Sequence, residues 1–165
     1  TVPIGHHPAN PRMERPMART INAAGLSLIK SFEGCVLTAY QDVAGIWTIG
    51  YGHTRGVTAG MVFTQQQADQ ALADDLLSTE TSVDRAVQAA TTTDNQFAAM
   101  VSLTYNIGSG NFASSTVLRE HLAEQIQPAA AAFLLWNKAT ISGVLQVVAG
   151  LTRRRTAEQS LYLTA

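Results

Sequence analysis

Glu33, Asp42 and Thr48 are residues whose types and spacing suit proton-transfer chemistry. Hydrolysis of a glycosidic bond commonly uses two carboxyl groups. One, protonated, delivers a proton to the leaving oxygen; the other, ionised, activates water or stabilises developing charge. Glu33 closes a helical segment just before Gly34, and Asp42 sits in a turn before Gly45. Nine residues of strand and turn suffice to bring Asp42 back across from Glu33. An apolar environment favours a protonated carboxyl, and Phe32, Val36 and Ile46 are near enough in sequence to supply one around Glu33. Asp42, beside Gln41 and Thr48, is expected to stay ionised. The Thr48 hydroxyl can hold a water next to Asp42. A bland description also fits: Glu at a helix end is commonly a surface residue, and Asp in a turn commonly caps local N–H groups.

These residues need elements to hold them. Residues 22–33 read as a helix capped by Asn22, with Ala24, Leu28 and Phe32 on one face and Gly34 as its stop. Residues 36–63 carry glycines at 45, 50, 52, 56 and 60 between Trp47, Ile49, Tyr51 and Val57, which predicts short antiparallel strands and tight turns. Thr64 and Gln67 form a capping box that opens a long helix reaching about residue 89. The rest reads as helical, over 94–106, 115–124, 128–138 (opened by Pro128) and 152–162. The apolar stretch 139–151, broken by Gly143 and Gly150, is not placed by its pattern. The expected architecture is α+β: residues 1–19 an irregular, proline-rich extension; 20–75 a small Gly-rich antiparallel lobe carrying the carboxylates; 76–165 an all-α lobe completing a cleft. The long helix joins the two lobes.

The 165 residues include 11 basic and 12 acidic side chains, for a net charge of -1, and 46% are hydrophobic. That supports a sizeable core and no general basic surface, so nucleic acid is not an expected partner. No run of 18 apolar residues is present, so stable membrane insertion is not expected. Thr1 in place of an initiator methionine leaves room for an export segment removed earlier. His6 and His7 are too few for a metal site, no phosphate-cradling motif is present, and no metal or organic cofactor is implied. The single cysteine, Cys35, has His53 as its one nearby candidate activator and reads by default as a buried, inert thiol. Trp47 and Trp136 read as core anchors before sugar platforms.

The stretch Phe32-Glu33-Gly34, Tyr40-Gln41-Asp42 and Gly45-Ile46-Trp47-Thr48-Ile49-Gly50-Tyr51-Gly52-His53-Thr54 resembles the phage-type (T4-like) lysozymes, the endolysins of glycoside hydrolase family 24. Their signature is a Glu, eight residues, an Asp, five residues, a Thr and then Gly-x-Gly-His, and the spacing here matches it. Asn106-Ile107-Gly108, Asn111-Phe112 and Ser115-Thr116-Val117-Leu118 resemble the family's central helical segment. Trp136, Gly150-Leu151, Arg154-Arg155, Glu158 and Leu161 resemble its C-terminal one. The resemblance covers about residues 20–163.

It implies a lysozyme-like fold and a muramidase that cuts peptidoglycan between N-acetylmuramic acid and N-acetylglucosamine with inversion. Glu33 would be the acid, Asp42 the base and Thr48 the holder of the water. Inversion implies carboxyl groups about 6.5–9.5 Å apart. Supporting roles would fall to Gly50, Gly52, His53, Asn106, Thr116 and one arginine of the 153–155 run. His53 is expected to brace the scaffold, Asn106 to line the groove or cap a local break, and Ser115 and Thr116 to start a helix. An arginine paired with Glu33, with Arg154 the leading candidate, would oppose an apolar environment there. The family setting implies a phage or prophage product, monomeric, held in the host cytoplasm until lysis and then acting on the wall from the periplasm, with possible dependence on a holin. Rival readings are a lytic transglycosylase on the same bond, a non-catalytic glycan-binding protein on a lysozyme fold, and a chitin or chitosan hydrolase.

Overall fold

The computed structural model describes residues 19–164; the readings placed on His6, His7 and most of the 1–19 extension lie outside them. Helix α1 (Ala23–Glu33) starts where Asn22 accepts a hydrogen bond from the Gly25 N–H, and it stops at Gly34, whose φ of +69° suits glycine. Its buried residues are Gly25 and Ile29. The expected stripe is therefore offset by one residue: Ala24 is exposed, and Leu28 and Phe32 are half-buried. The cause is a close approach to a later helix. A Cβ built on Gly25 would lie 2.6 Å from the Ala98 Cβ, so the missing side chain lets the two helices meet along that line.

Strands β1 (Val36–Gln41) and β2 (Trp47–Gly50) form an antiparallel pair with Gln41 opposite Trp47, Tyr40 opposite Thr48 and Val36 opposite Gly50. The segment around Val62 extends this small sheet through a bridge to Thr38, and the glycine-rich turn folds back through the Ile49–His53 bridge. Helix α2 (Gln65–Val87) opens on the expected capping box of Thr64 and Gln67. At 23 residues it is about 35 Å long, and it buries Ala68, Leu72, Leu76, Val83 and Val87.

The second half packs around α3 (Asp94–Ile107), whose residues Gln96 to Thr104 are all buried. Around it lie α4 (Ser109–Ala113), α5 (Thr116–Leu122), capped by Ser115, α6 (Ile126–Ala132) and α7 (Ala149–Leu163). Phe97, Met100, Leu103, Phe112, Val117, Phe133 and Tyr162 belong to one buried cluster.

The α+β lysozyme-like class holds, with three corrections. The second lobe is not all-α, because residues 139–151 contribute a hairpin of β3 (Lys138–Ile141) and β4 (Val144–Val147). Its turn places Ser142 at φ +51° and Gly143 at φ +79°, the left-handed pair of a tight hairpin. Pro128 does not open its helix but is its third residue, and that helix ends at Ala132, continuing as a 3-10 turn over Phe133–Trp136. Trp47 and Trp136 are half-buried rather than fully enclosed, although Trp136 packs against the core.

Candidate active site

The end of α1 and the β1–β2 turn bring the sequence candidates forward on short, well-anchored segments. Asp42 Oδ1 accepts the N–H groups of Ala44 and Ile46, both at 2.9 Å. The Asp42 N–H donates to the Ile46 carbonyl at 3.0 Å. The same carbonyl accepts the Thr48 hydroxyl, also at 3.0 Å. One backbone oxygen thus ties Asp42 and Thr48 together, and Thr48 is buried. The local capping role expected of an Asp in a turn is real here, and it uses one of the two carboxylate oxygens. Oδ2 has no hydrogen-bond partner among the described residues.

Glu33 is held differently. Its Oε1 accepts from Arg154 Nη1 at 2.7 Å, and its side chain is 25% exposed. The apolar environment expected from Val36 and Ile46 is not built, because both are exposed: they belong to a two-stranded hairpin with too little partner surface to cover them. Phe32 is half-buried and lies under the Arg154 guanidinium, 5.8 Å from ring to carbon. The neighbour that governs Glu33 is therefore a cation.

Arg154 is itself fixed from behind. Its Nε donates to Glu158 Oε1 at 3.2 Å and its Nη2 to the Ser102 carbonyl at 3.4 Å. Glu158 Oε1 also accepts from Ser102 Oγ at 2.7 Å and from Arg155 Nη2 at 2.8 Å. Burial pushes the Glu158 carboxyl up and the Arg155 guanidinium down. Both nevertheless stay charged: arginine does not shed its proton in proteins, and each hydrogen-bond partner of Glu158 is a donor. Tyr105 stands nearby on α3; its phenol is pushed up to about 12, first by burial and then by the charges of Glu33 and Asp75.

His53 is taken up by two acceptors, Asp75 Oδ2 at 2.8 Å and the Arg55 carbonyl at 2.9 Å, which links the glycine-rich turn to α2. Gly50, at φ +65°, closes on α2 as well, since a Cβ there would sit 3.4 Å from that of Ala68. Gly52, at φ +96°, lets the turn reverse. Asn106 is exposed near the end of α3, and Thr116 is half-buried at the start of α5. Neither bonds to Glu33, Asp42 or Thr48 among the described residues. Cys35 is exposed, not buried as expected, because it lies in the short link between α1 and β1, where nothing packs over it. An open cavity of about 470 Å³ adjoins the site between α1 and α7, lined by Phe32, Leu151, Arg153 and Arg154 among others. Glu33, Asp42 and Thr48 lie outside its lining.

Sequence reasoning did not single out Ser102, Tyr105 or Asp75. It quoted Glu158 as part of a pattern without a role. The spacing Arg154, Arg155, x, x, Glu158 places both arginines within one turn of that carboxylate on a helix, which was the available signal.

The sequence profile described as phage lysozyme matches residues 30–158. The chain belongs to the phage lysozyme family. The endolysin of Acyrthosiphon pisum secondary endosymbiont phage 1 is 39% identical over 88% of this chain and 99% of its own length. The endolysin of Bacillus phage PZA is 44% identical over 86% of this chain, which spans 54% of that relative. Among solved structures, the muramidase domain of SpmX from Asticaccaulis excentricus superposes with a TM-score of 0.84 at 42% identity, covering 88% of this chain and 99% of that one. The phage lysozyme fold thus extends across both lobes here. Among the described residues no helix is long and apolar enough to cross a membrane.

Proposed function

We infer that this phage lysozyme-family chain is a muramidase of the endolysin kind, a glycoside hydrolase that cleaves the β-1,4 bond between N-acetylmuramic acid and N-acetylglucosamine in peptidoglycan. The observation that carries the mechanism is the shared Ile46 carbonyl. It consumes the Thr48 proton, while two backbone N–H groups occupy Asp42 Oδ1. What remains is an acceptor pair, Asp42 Oδ2 and the Thr48 Oγ lone pairs. A water that gives one proton to each acceptor keeps its own lone pairs for attack on the anomeric carbon. Glu33, turned by Arg154, is the proton donor to the leaving oxygen. Attack by water on the face opposite the leaving group inverts the anomeric centre.

His53, Gly50 and Gly52 serve this arrangement by pinning the β1–β2 turn and the loop after it against α2. Asn106 and Thr116 belong to the helical side of the groove. The protein acts as a monomer on the host wall during phage release, reaching the periplasm from the cytoplasm with the help of a holin or an export segment.

Digestion of purified peptidoglycan in ¹⁸O-labelled water, by wild type and by E33Q, tests the reading. Labelled reducing-end muramic acid is expected from wild type and none from E33Q, with the α-anomer appearing first by NMR. Anhydromuramic ends would identify a transglycosylase and leave Asp42 and Thr48 without a catalytic role.

A further inference from the structure

The ionic cluster behind Glu33 is too deeply placed to be a surface ornament. Arg154, Arg155 and Glu158 are 4%, 0% and 0% exposed. Burying two cations and an anion is a poor route to stability, since apolar residues of similar volume do as well or better. Ionic burial does supply a guanidinium whose plane and charge are set before substrate arrives. The three kinds of nitrogen on Arg154 are each engaged: Nε by Glu158, Nη2 by the Ser102 carbonyl and Nη1 by Glu33. Two of these bonds fix the plane, and the third is the one aimed at Glu33.

We propose that Glu158 is a positioning residue for the reaction, holding Arg154 in the plane that meets Glu33 and cancelling part of the arginine charge that Glu33 feels. The inference rests on the reading of Glu33 as proton donor.

The charges make the second half of the role explicit. Arg154 and Arg155 with Glu158 sum to +1, which an ionised Glu33 balances. A proton donor has to take a proton back in every cycle. Two uncompensated arginines would oppose that, and Glu158 relieves one of them. The other groups around Glu33 do not substitute for it. Tyr105, facing from α3, is neutral in the working range because its phenol is pushed up to about 12. Asp75 on α2 is bonded to His53 and Arg55. Lys30, on α1 itself, is paired with Asp69 at 2.9 Å. Ser102, from α3, is uncharged and donates to Glu158.

E158Q keeps the shape and an acceptor oxygen but removes the charge. The alkaline limb of its activity–pH profile on peptidoglycan is expected to move to lower pH by about one unit, a roughly tenfold loss of rate at a pH on the wild-type limb. R155M/E158Q removes one arginine charge as well and is expected to return the limb to its wild-type position. The position of the limb is the readout, because a merely structural role lowers the amplitude and Tm and leaves the limb in place. ¹³C NMR titration of the Glu33 side-chain carboxyl in both variants reads the same shift without turnover. A limb and a Glu33 midpoint unmoved in E158Q, or a shift that R155M does not reverse, overturns the proposal. An active E33Q sinks the proton-donor reading and this inference with it, whereas an inactive E33Q beside an unmoved E158Q profile sinks the inference alone.

Discussion

Gly25→Ala should destabilise this protein, although glycine is the poorer helix former. Gly25 lies inside α1, where alanine is intrinsically better by about 1 kcal/mol. Against that gain stands the contact with α3. The new Cβ would lie 2.6 Å from the Ala98 Cβ and 2.8 Å from two Ile21 side-chain atoms. Ile21 is half-buried at the mouth of α1 and can turn aside. Ala98 has no rotamer to change and is fully buried. Relief therefore requires the helices to part by about 1 Å, given a normal carbon–carbon separation of about 3.5–4.0 Å. Overpacking on this scale costs up to about 3 kcal/mol, leaving a net loss of about 2 kcal/mol. For a domain of this size that is a fall in Tm of about 4–8 °C. Activity should fall further than stability explains, because Glu33 ends the same helix and its 2.7 Å bond to Arg154 crosses to α7. The double variant G25A/A98G restores the space and exchanges one helix penalty for the other, so its Tm should return close to wild type. Thermal unfolding followed by circular dichroism, with wall-lysis rates on the same samples, makes the comparison. A G25A protein more stable than wild type would refute the close-approach argument, and so would a double variant no better than G25A.

Two further outcomes follow from the site and the core. D42N should keep its fold, because the Asn side-chain oxygen can still accept the Ala44 and Ile46 N–H groups; yet muropeptide release should drop by about 10²- to 10⁴-fold, and a loss smaller than tenfold with an unchanged Tm would remove Asp42 from the chemistry. His121 is buried between the Thr92 and Tyr162 hydroxyls at 2.8 and 2.7 Å, and burial lowers its pKa. The unfolded chain therefore binds a proton more readily than the native one as pH falls below the ordinary histidine value of about 6.5, so stability should decline in that range. Urea unfolding at several pH values should show a shallower decline for H121Q, and parallel curves for the two proteins would exclude His121 as the source.

How far this protein could be read from its sequence depended on the distance over which each signal acts. The Asn22 cap, the Gly34 stop and the Thr64–Gln67 capping box were all legible, because each is a bond between residues three or four apart, or a single backbone angle. The two strands either side of the Asp42 turn were legible for the same reason, and so was the family, through residue spacing carried within one hairpin. The face that α1 buries was not legible, since Gly25 turns inward only because Ala98 approaches it from 73 residues away. Nor was β3–β4, whose eight residues include five that are apolar yet have no buried face, so the alternation that normally betrays a strand is missing. Val36, Ile46 and Cys35 are apolar or soft residues that composition would send inward, and a small sheet with nothing packed over it leaves them in solvent. The three arginines at 153–155 are the plainest case. They are identical in type and adjacent in sequence, so local propensity treats them alike. Helix α7 turns Arg153 outward, seats Arg155 against Glu158 in the interior and sends Arg154 to Glu33, because packing of α7 on α3 sets the helix phase, and with it each side chain's direction.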